Sequence, residues 1–276
     1  MVSCNNNPGG LFLLDTDINK ASLIDSRIPS TGLTWWDEGI FVHAQGKHLK
    51  FRDTQGTFIK QEGFPSVDQS GVHDIVMDGD LLYAVNTSHN LIQVHDRNLK
   101  IIKVLDACPG GGTDSCHINS VLVKNGKVYG SAFGMHGWKE EWKNKKMTAS
   151  GALYTFEGDK VKVLYEGMKQ PHTVRELHGK VVVCNSVDGE VLFFNGEWKP
   201  EKRFKVGNGY VRGLAQHGKG YFVGLSANRQ PGIYGYPEVG DYDITCAHVA
   251  YVEEDKVMSM WPIGGAKEVY DILVMP

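Results

Sequence analysis

Short runs of apolar residues, broken by tight polar turns, recur along this chain. In PHTVRELHGKVVVCNS, residues 171–186, two such runs flank the turn His-Gly-Lys. Two apolar runs of this length around a glycine turn predict a β-hairpin with polar residues at its open end. The same pattern recurs at residues 71–88, 116–132 and 210–226, with a degenerate copy at 31–44.

The spacing of these hairpins predicts a repeat architecture. When the copies are aligned on their second strand, one position holds Thr31, His73, Asn119, His172 and Arg212 in turn. Each hairpin is followed by two more short strands, such as LIQVHD and KIIKVL after the second copy. Four strands repeated every roughly 40 to 50 residues are typical of propeller blades.

The two ends of the chain complement each other. Residues 1–28 hold short strands but lack an opening inner strand, and KEVYDILVMP at residues 267–276 supplies a spare one. We therefore predict a single all-β domain over residues 1–276, a six-bladed β-propeller closed by pairing of the C-terminal strand with N-terminal strands. A fused pair of small β-sandwiches is the alternative, but Greek-key sandwiches do not show this repeat.

Propeller geometry predicts which residues share a face. The loops that enter the inner strands lie on the same face as the loops between the second and third strands, so the repeat-start positions surround the axis there, with Tyr270 at that position in the last strand. Three long insertions map to this face, at residues 106–116, 133–150 and 227–245. Long loops on a rigid scaffold are frequent sites of binding and catalysis.

Three histidines at or just before the starts of neighbouring inner strands form the candidate metal site: His73, His117 and His172. Converging neutral imidazoles suit a divalent transition metal such as Zn, Mn, Fe, Ni or Cu. The alternative is that each imidazole merely hydrogen-bonds to a neighbouring loop. No local ligand spacing such as HExxH decides between the two.

Other polar residues on the predicted face are candidates for substrate contacts. Arg212 is expected to bind an anion or stabilise developing negative charge, with Asn119 beside it as a second catalytic residue. The candidates for substrate binding are Asn86, Asn185, Arg175, Arg229, His136, Trp138 and Tyr270. For the insertion with His136 and Trp138 a solvated charged flap is the alternative, and for Arg229 a surface salt bridge.

Composition narrows the class of partner. The formal net charge of −3 gives no support to nucleic-acid binding. The 5 cysteines form no CxxC pair, which favours free thiols in a reducing compartment. The first residues have neither a basic region nor a long apolar run, so we expect a cytoplasmic protein, not bound to a membrane, that takes a small-molecule substrate. The sequence leaves the oligomeric state open.

Several of these segments resemble an uncharacterised family of bacterial β-propeller proteins described only as a domain of unknown function. The likeness rests on HDIVMDGDLLYAVNTS, CHINSVLVKNGKVYGSAFG, PHTVRELHGKVVVCNS and VRGLAQHGKGYFVGLSANR, and covers about residues 71–229. Members carry similar H-D-L, C-H-L-N-G, P-H-S-P-R and R-G-L-A segments, whereas this chain has Thr173-Val174 in place of Ser-Pro. The resemblance implies no reaction. It supports the fold and the following residues: His73, Asp74, His117, Asn119, His172, Arg175, Arg212 and Arg229.

Two functional hypotheses follow. The first is a metal-dependent enzyme of lyase, hydrolase or oxygenase type, in which the three histidines hold the metal and Arg212 binds a small anionic substrate. The second is a non-catalytic propeller whose polar ring binds a sugar, a peptide or a protein partner. The metal content of the purified protein discriminates between them.

Overall fold

The chain is built almost entirely from short β-strands. The computed structural model describes residues 1–5, 9–25, 30–37, 39–44, 47–54, 57–65, 71–143, 149–227 and 244–275. These residues form six four-stranded antiparallel sheets. Their only helical segments are two single 3-10 turns, Thr87–His89 and Glu141–Lys143. The predicted all-β propeller is confirmed at this level.

The sheets are numbered here by the chain order of their inner strands. Sheet 1 contains β4 (Ser30–Trp36), β5 (Gly39–Ala44), β6 (Lys47–Thr54) and β7 (Thr57–Pro65). Sheet 2 contains β8 (Val72–Asp78), β9 (Leu81–Asn86), β10 (Leu91–His95) and β11 (Ile101–Asp106). Sheet 3 contains β12 (Ile118–Lys124), β13 (Lys127–Ala132), β14 (Gly151–Glu157) and β15 (Lys160–Met168).

The remaining sheets continue the same order. Sheet 4 contains β16 (Pro171–Leu177), β17 (Lys180–Asn185), β18 (Glu190–Phe194) and β19 (Pro200–Lys205). Sheet 5 contains β20 (Tyr210–His217), β21 (Gly220–Ser226), β22 (Ala247–Glu253) and β23 (Lys256–Ile263). Sheet 6 joins the two ends of the chain and contains β24 (Glu268–Ile272), β1 (Val2–Asn5), β2 (Gly10–Asp15) and β3 (Lys20–Asp25).

The turns between first and second strands follow from their sequences. Asn125 and Gly126 have φ angles of 52° and 71°, and His178 and Gly179 have 50° and 79°. Two consecutive positive φ angles define the type I′ turn, whose twist matches that of the flanking strands. Asn-Gly is the strongest short signal for that turn, and glycine at its second position carries no steric cost.

Burial separates the inner strands from the outer ones. The first four residues of β16 are buried, whereas exposed and half-buried residues alternate along β19. Six apolar clusters of described residues pack between neighbouring sheets, and one of them, with Leu11, Leu33 and Ile40, lies between sheets 6 and 1. Each sheet therefore buries its apolar faces against its neighbours, as the repeat requires.

Every inner strand carries a β-bulge near its start. The register against the second strand breaks once in each, and the residues that the register skips are Thr31 and Gly32, His73, Asn119, Thr173, Gly213 and Tyr270. A bulge bends its strand and changes the direction of a side chain. The repeat-start position found in the sequence coincides with this bulge in four sheets, and in sheets 4 and 5 the repeat-start residues His172 and Arg212 directly precede it.

Hydrogen bonds link the sheets in sequence near these bulges. In five of these bonds a side-chain hydroxyl or amide donates to a backbone carbonyl of the next sheet. The donor and acceptor residues are Thr31 and Val72, Thr87 and Ile118, Asn119 and Pro171, Ser226 and Val269, and Ser3 and Thr31. Between sheets 4 and 5 the backbone amide of Gly213 donates to Thr173 Oγ1 over 2.9 Å. These bonds fix the position of each bulge relative to the next.

Candidate functional site

Five of the predicted site residues come together around the axis, at the ends of five different sheets. His73, His117, His172, Arg212 and Tyr270 join Phe133 and Tyr210 in a continuous series of contacts, which we call the axial belt. The belt members come from sheets 2, 3, 4, 5 and 6 and from the residues directly beside their strands. The structure thus brings four of the repeat-start residues and His117 into one series of contacts.

One half of the belt carries the positive charge. The rings of His73 and Tyr270 stack with centroids 5.8 Å apart and planes 13° from parallel. The guanidinium carbon of Arg212 lies 4.6 Å from the Tyr270 ring centroid and 4.7 Å from that of Tyr210. Two tyrosine rings therefore hold the guanidinium group in place by cation–π attraction. Glu268 Oε2 lies 3.5 Å from Arg212 Nη1, within ion-pair distance.

The other half of the belt is a run of aromatic and imidazole rings. His117 lies 5.2 Å from His73 and 4.3 Å from Phe133, measured between ring centroids. Phe133 lies 5.0 Å from His172, and His172 lies 5.4 Å from Tyr210. This second run meets the first at Tyr210 and His73, so the series of contacts closes on itself.

Asp114 holds His117 in a defined orientation. The Nδ1 atom of His117 lies 2.8 Å from Asp114 Oδ1, and the indole Nε1–H of Trp142 donates to Asp114 Oδ2 over 3.1 Å. Trp142 also packs on the imidazole, with ring centroids 4.2 Å apart. The φ angle of His117 is 48°, in the left-handed region that a residue with a Cβ seldom adopts. Backbone strain of this kind is concentrated at functional sites.

The hydrogen bonds of the three histidines assign their neutral tautomers. An ionised carboxylate only accepts, so His117 Nδ1–H donates to Asp114. Likewise His172 Nδ1–H donates to the Gln170 carbonyl over 3.0 Å. The Thr87 hydroxyl gives its proton to Ile118 O over 2.6 Å, so it accepts from His73 Nδ1–H. In the neutral form of each ring the lone pair is therefore on Nε2.

His172 is held in its neutral form. The pKa of His172 lies well below its usual value because burial disfavours the imidazolium, and the positive charges of Arg212, His117 and His73 add to this. A neutral imidazole with Nδ1–H fixed can accept a proton or a hydrogen bond at Nε2, or bind a metal there.

The structure does not place the three predicted asparagines as substrate ligands. Asn119 donates to Pro171 O over 2.8 Å and accepts from Ser131 Oγ over 2.6 Å, so it links sheets 3 and 4. Asn86 caps the 3-10 turn by accepting from His89 N, and Asn185 accepts from Lys169 N. Their polar atoms hold the loops that surround the belt, and this geometry gives no support to the predicted catalytic role of Asn119.

Arg175 likewise has another role. Its two Nη atoms bind Asp74 in a bidentate pair at 2.9 and 3.0 Å, and Nη2 also reaches Asp271 Oδ2 at 3.0 Å. Two backbone carbonyls, Val121 O and Val174 O, accept from Nη1 as well. We call Asp74, Arg175 and Asp271 the axial ion triad. Because these donors are already used inside the protein, the geometry does not support a substrate contact by Arg175.

The insertion after β13 lies against the belt, but through a different tryptophan from the one predicted. Trp138 is 78% exposed, whereas Trp142 is 5% exposed and packs on His117. His136 uses its backbone carbonyl to accept hydrogen bonds from two cysteine thiols. Arg229, predicted to bind substrate, lies outside the described residues.

The predicted metal site has no direct support from the geometry. Among the residues that the structure describes, no three His, Cys, Asp or Glu side chains form a group that could hold a metal ion. The three histidines of the belt do lie close enough for the charges of His73 and His117 to act on His172. The site that the structure defines is thus a ring of imidazole, phenol and guanidinium groups.

Sequence reasoning missed Asp114, Trp142, Phe133 and Tyr210. Asp114 stands three residues before His117 in TDSCH, and this Asp-x-x-His spacing was a usable signal. Phe133 and Tyr210 directly adjoin the hairpin ends that defined the repeat. Nothing in WKEEWK distinguishes the buried Trp142 from the exposed Trp138, because the difference arises from how the loop folds back.

A comparison with protein families matches residues 41–276 to the family described as a domain of unknown function, DUF4915. The chain belongs to this family. The resemblance noted in the sequence is therefore confirmed, and the family description assigns no reaction. A search of curated proteins found no match.

Solved structures share the fold of this DUF4915 member. A structure described as a nidogen/laminin complex matches at 11% identity with a TM-score of 0.65, over 98% of this chain and 95% of that one. A protein of unknown function from Bacteroides caccae matches at 10% identity with a TM-score of 0.64, over 98% and 95%. A structure described as streptogramin B lyase matches at 10% identity and a TM-score of 0.54, over 88% and 71%. At such identities the likeness concerns the fold alone.

The described residues also bear on the membrane prediction: none of their helices is long and apolar enough to cross a membrane.

Proposed function

We propose that the axial belt is the active site of an enzyme that binds the anionic group of a small molecule on Arg212 and transfers a proton through His117. One observation carries this proposal. His117, which is oriented by Asp114, belongs to the same series of contacts as the buried Arg212. A base with a fixed tautomer beside an anion-binding guanidinium is the minimum that general acid–base chemistry needs.

Asp114 and the members of the belt have distinct roles in this proposal. Asp114 fixes Nδ1–H of His117 and stabilises the imidazolium after Nε2 has taken a proton. Arg212, packed between the rings of Tyr210 and Tyr270, stabilises negative charge on the substrate. His172 stays neutral and offers its Nε2 as a hydrogen-bond acceptor. Such a set suits abstraction of a proton next to a carboxylate, as in a lyase, or activation of water, as in a hydrolase.

The binding half of the proposal can be tested without knowing the substrate. Inorganic phosphate and malonate serve as probes, and the fluorescence of Trp142 beside His117 reports their arrival. We expect saturable binding that weakens about tenfold in Arg212→Lys, because a lysine keeps the charge but loses the planar fork and the stacking. Arg203→Lys, on the outer strand β19, is the matched control and should bind as the wild type does. Equal affinity of Arg212→Lys and the wild type for phosphate and malonate would contradict anion binding by Arg212.

The proton-transfer half has a readout in the histidine itself. Nitrogen NMR shifts of neutral His117 in labelled protein should show the Nδ1–H tautomer, with Nε2 unprotonated. In Asp114→Asn the amide side chain offers both a donor and an acceptor, so the tautomer should become mixed. A wild-type His117 with its proton on Nε2 contradicts the proposed base.

A metal-dependent reaction is the second candidate, and one observation favours it. In all three histidines Nδ1–H is used by a protein acceptor, which is the arrangement that metal-binding imidazoles usually have. In this hypothesis His73, His117 and His172 bind Zn, Mn, Fe, Ni or Cu through Nε2 after their side chains move together. Elemental analysis of the wild type and of His172→Ala tests it. If the wild type and His172→Ala both contain near-zero metal after incubation with each ion, the metal-dependent reaction is excluded.

A non-catalytic propeller that binds a sugar, a peptide or a protein stays as the alternative to both. It predicts ligand binding at the belt with no dependence on the tautomer of His117. Phosphate affinity that falls in Arg212→Lys but stays unchanged in Asp114→Asn, with the His117 proton on Nε2, would favour this alternative.

We also infer that the six sheets are the six blades of one closed ring. The pairing of Val2 with Ile272 puts both ends of the chain in one sheet, and Ser3 Oγ donates to Thr31 O across to sheet 1. Deleting residues 268–276 would remove β24 and expose the edge of β1. We expect a broadened melting transition for the truncated protein, and an unchanged, sharp one contradicts the closure.

A further inference from the structure

Two cysteines lie at the junction between the belt and the insertion that covers it. Cys108 Sγ donates to His136 O over 3.0 Å, and Cys116 Sγ donates to the same carbonyl over 3.3 Å. Ser115 Oγ contacts both sulfur atoms, at 3.3 and 3.7 Å, and the two thiols also interact with each other. Both sulfur atoms lie within 3.3 Å of the same carbonyl oxygen, and a disulfide requires them to approach each other to about 2.05 Å.

The segment between these cysteines is folded tightly around them. A Cβ on Gly111 would lie 2.5 Å from Cys108 Sγ and 2.6 Å from Ser115 Oγ, so a larger residue there would displace both side chains. The segment also carries Asp114 and ends one residue before His117. A change in the positions of the two sulfur atoms is therefore expected to displace Asp114, which orients the proposed base His117.

The covering insertion is docked on this same segment. Gly112 N donates to Gly137 O over 3.0 Å, and Glu140 N donates to Thr113 O over 3.1 Å. The indole of Trp142 donates to Asp114, as described above. With the two thiol bonds to His136 O, the part of the insertion that bears Trp142 is thus attached through the residues from Cys108 to Cys116.

We propose that Cys108 and Cys116 form a reversible disulfide, and that its formation loosens the insertion over the axial belt. Both thiols lose their hydrogen atoms in the oxidised state, so His136 O loses two hydrogen-bond donors. Trp142 then packs less firmly on His117, and the Asp114–His117 pair is disturbed. The site is thereby fully assembled only in the dithiol state.

The oxidant is a peroxide. Cys108 is partly exposed and Cys116 is buried, so Cys108 reacts first. Its thiolate attacks one peroxide oxygen and becomes a sulfenic acid, and the other oxygen leaves as hydroxide, which takes up the thiol proton as water. The sulfur of Cys116 then displaces hydroxide from the sulfenic acid, and its own proton leaves with that hydroxide as a second water. Two thiols are oxidised and one peroxide is reduced to two waters.

The position of the pair also explains which cysteine resolves the sulfenic acid. Burial raises the pKa of the Cys116 thiol, and the neighbouring Cys108 adds to this. Cys116 is therefore a poor first nucleophile and stays reduced until a sulfenic acid forms beside it.

The disulfide itself can be tested on the intact protein. We expect hydrogen peroxide to lower the number of free thiols in the denatured protein by two from its total of 5, with recovery after dithiothreitol. Peptide mapping should show the Cys108–Cys116 link. Cys108→Ser should form no such link, whereas Cys246→Ser, which removes the other partly buried cysteine, should form it as the wild type does. An unchanged thiol count, or oxidation of Cys108 without the link, overturns the proposal.

The effect on the belt has its own readout. Oxidation should change the Trp142 fluorescence of the wild type and of Cys246→Ser, with little change in Cys108→Ser or Trp142→Phe. A disulfide with no change in this fluorescence overturns the coupling to the insertion. The expected loss of phosphate affinity on oxidation, about tenfold, rests on the proposed function. If neither redox state binds phosphate, the anion site fails while the disulfide and its effect on Trp142 still stand.

Discussion

Two sets of charged and polar groups lie next to each other along the inner strands. One set forms ion pairs within the protein, and the other forms the proposed binding site. His73 and Tyr270 belong to the axial belt, while Asp74 and Asp271, the residues that directly follow them, belong to the axial ion triad. One step along a strand thus separates the proposed site from the ion pairs. The comparison shows how the same strand ends carry both function and stability.

The ion triad is saturated by the protein itself. Arg175 binds both carboxylates, and the amides of Leu33, Ile75, Val121 and Ile272 donate to their oxygen atoms. In the belt, by contrast, Nδ1 of each histidine is fixed by a protein acceptor, and the proposed function assigns Nε2 to the substrate. A buried charge network that is satisfied internally holds a structure together, whereas side chains held in one orientation by their surroundings are prepared for binding.

The largest difference should appear when each arginine is changed. Arg175→Met leaves two buried carboxylates without their cation, which typically costs about 3–5 kcal/mol of unfolding free energy. Urea denaturation measures this loss, and Arg203→Met, on the surface of β19, should stay within about 0.5 kcal/mol of the wild type. If Arg175→Met is as stable as Arg203→Met, the triad does not hold the sheets together.

The two regions should also respond to pH with opposite signs. Burial raises the pKa of Asp271 from 3.8 to about 6, with Asp74 adding to it against the opposing effect of Arg175, so its stabilising contribution is present below pH 3.8 and is lost as the pH rises through 6. Burial lowers the pKa of His172, so its contribution is present above pH 6.5 and is lost as the pH falls below that value.

Variants isolate these two contributions. The stability of Asp271→Asn relative to the wild type should rise between pH 4 and 7, because the wild type loses the contribution of protonated Asp271 over this range and the asparagine does not titrate. His172→Gln should lose stability relative to the wild type over the same rise in pH. Unfolding free energies measured at pH 4, 5, 6 and 7 give both slopes, and slopes of the same sign would contradict the assignment of either group.

The sequence predicted the scaffold well because the fold repeats. Asn125-Gly126 and His178-Gly179 mark their turns directly, and the aligned position that holds His73 and Tyr270 proved to be a recurrent bulge. Each copy supports the interpretation of the others, so one degenerate copy does not mislead. Convergence of the side chains then follows from geometry alone.

The roles of individual polar residues were much harder to predict. Asn119 and Arg175 occupy the same part of the repeat as His73 and Arg212, yet their donors turn inward to Pro171 and to Asp74. Spacing fixes where a residue stands on a strand but not which acceptor lies opposite it on another sheet. Trp142 and Asp114 depend on two loops that fold onto each other, and no period relates such loops.

The smallest of these effects concerns the two tryptophans of the insertion. Their sequence surroundings are similar, but Trp142 packs on His117 and Trp138 is exposed. Trp142→Phe removes an indole hydrogen bond to Asp114 and part of the packing on His117, so we expect a loss of about 1–2 kcal/mol. Trp138 is exposed, and Trp138→Phe should change stability by less than about 0.5 kcal/mol.

Thermal melting and urea denaturation of both variants measure the difference, and the belt supplies a second readout. Because Trp142 donates to Asp114, its loss frees one oxygen of the carboxylate that orients His117. The His117 nitrogen resonances should therefore shift in Trp142→Phe and stay in place in Trp138→Phe. Equal stability and equal His117 resonances in the two variants would mean that the insertion lies beside the belt without helping to form it.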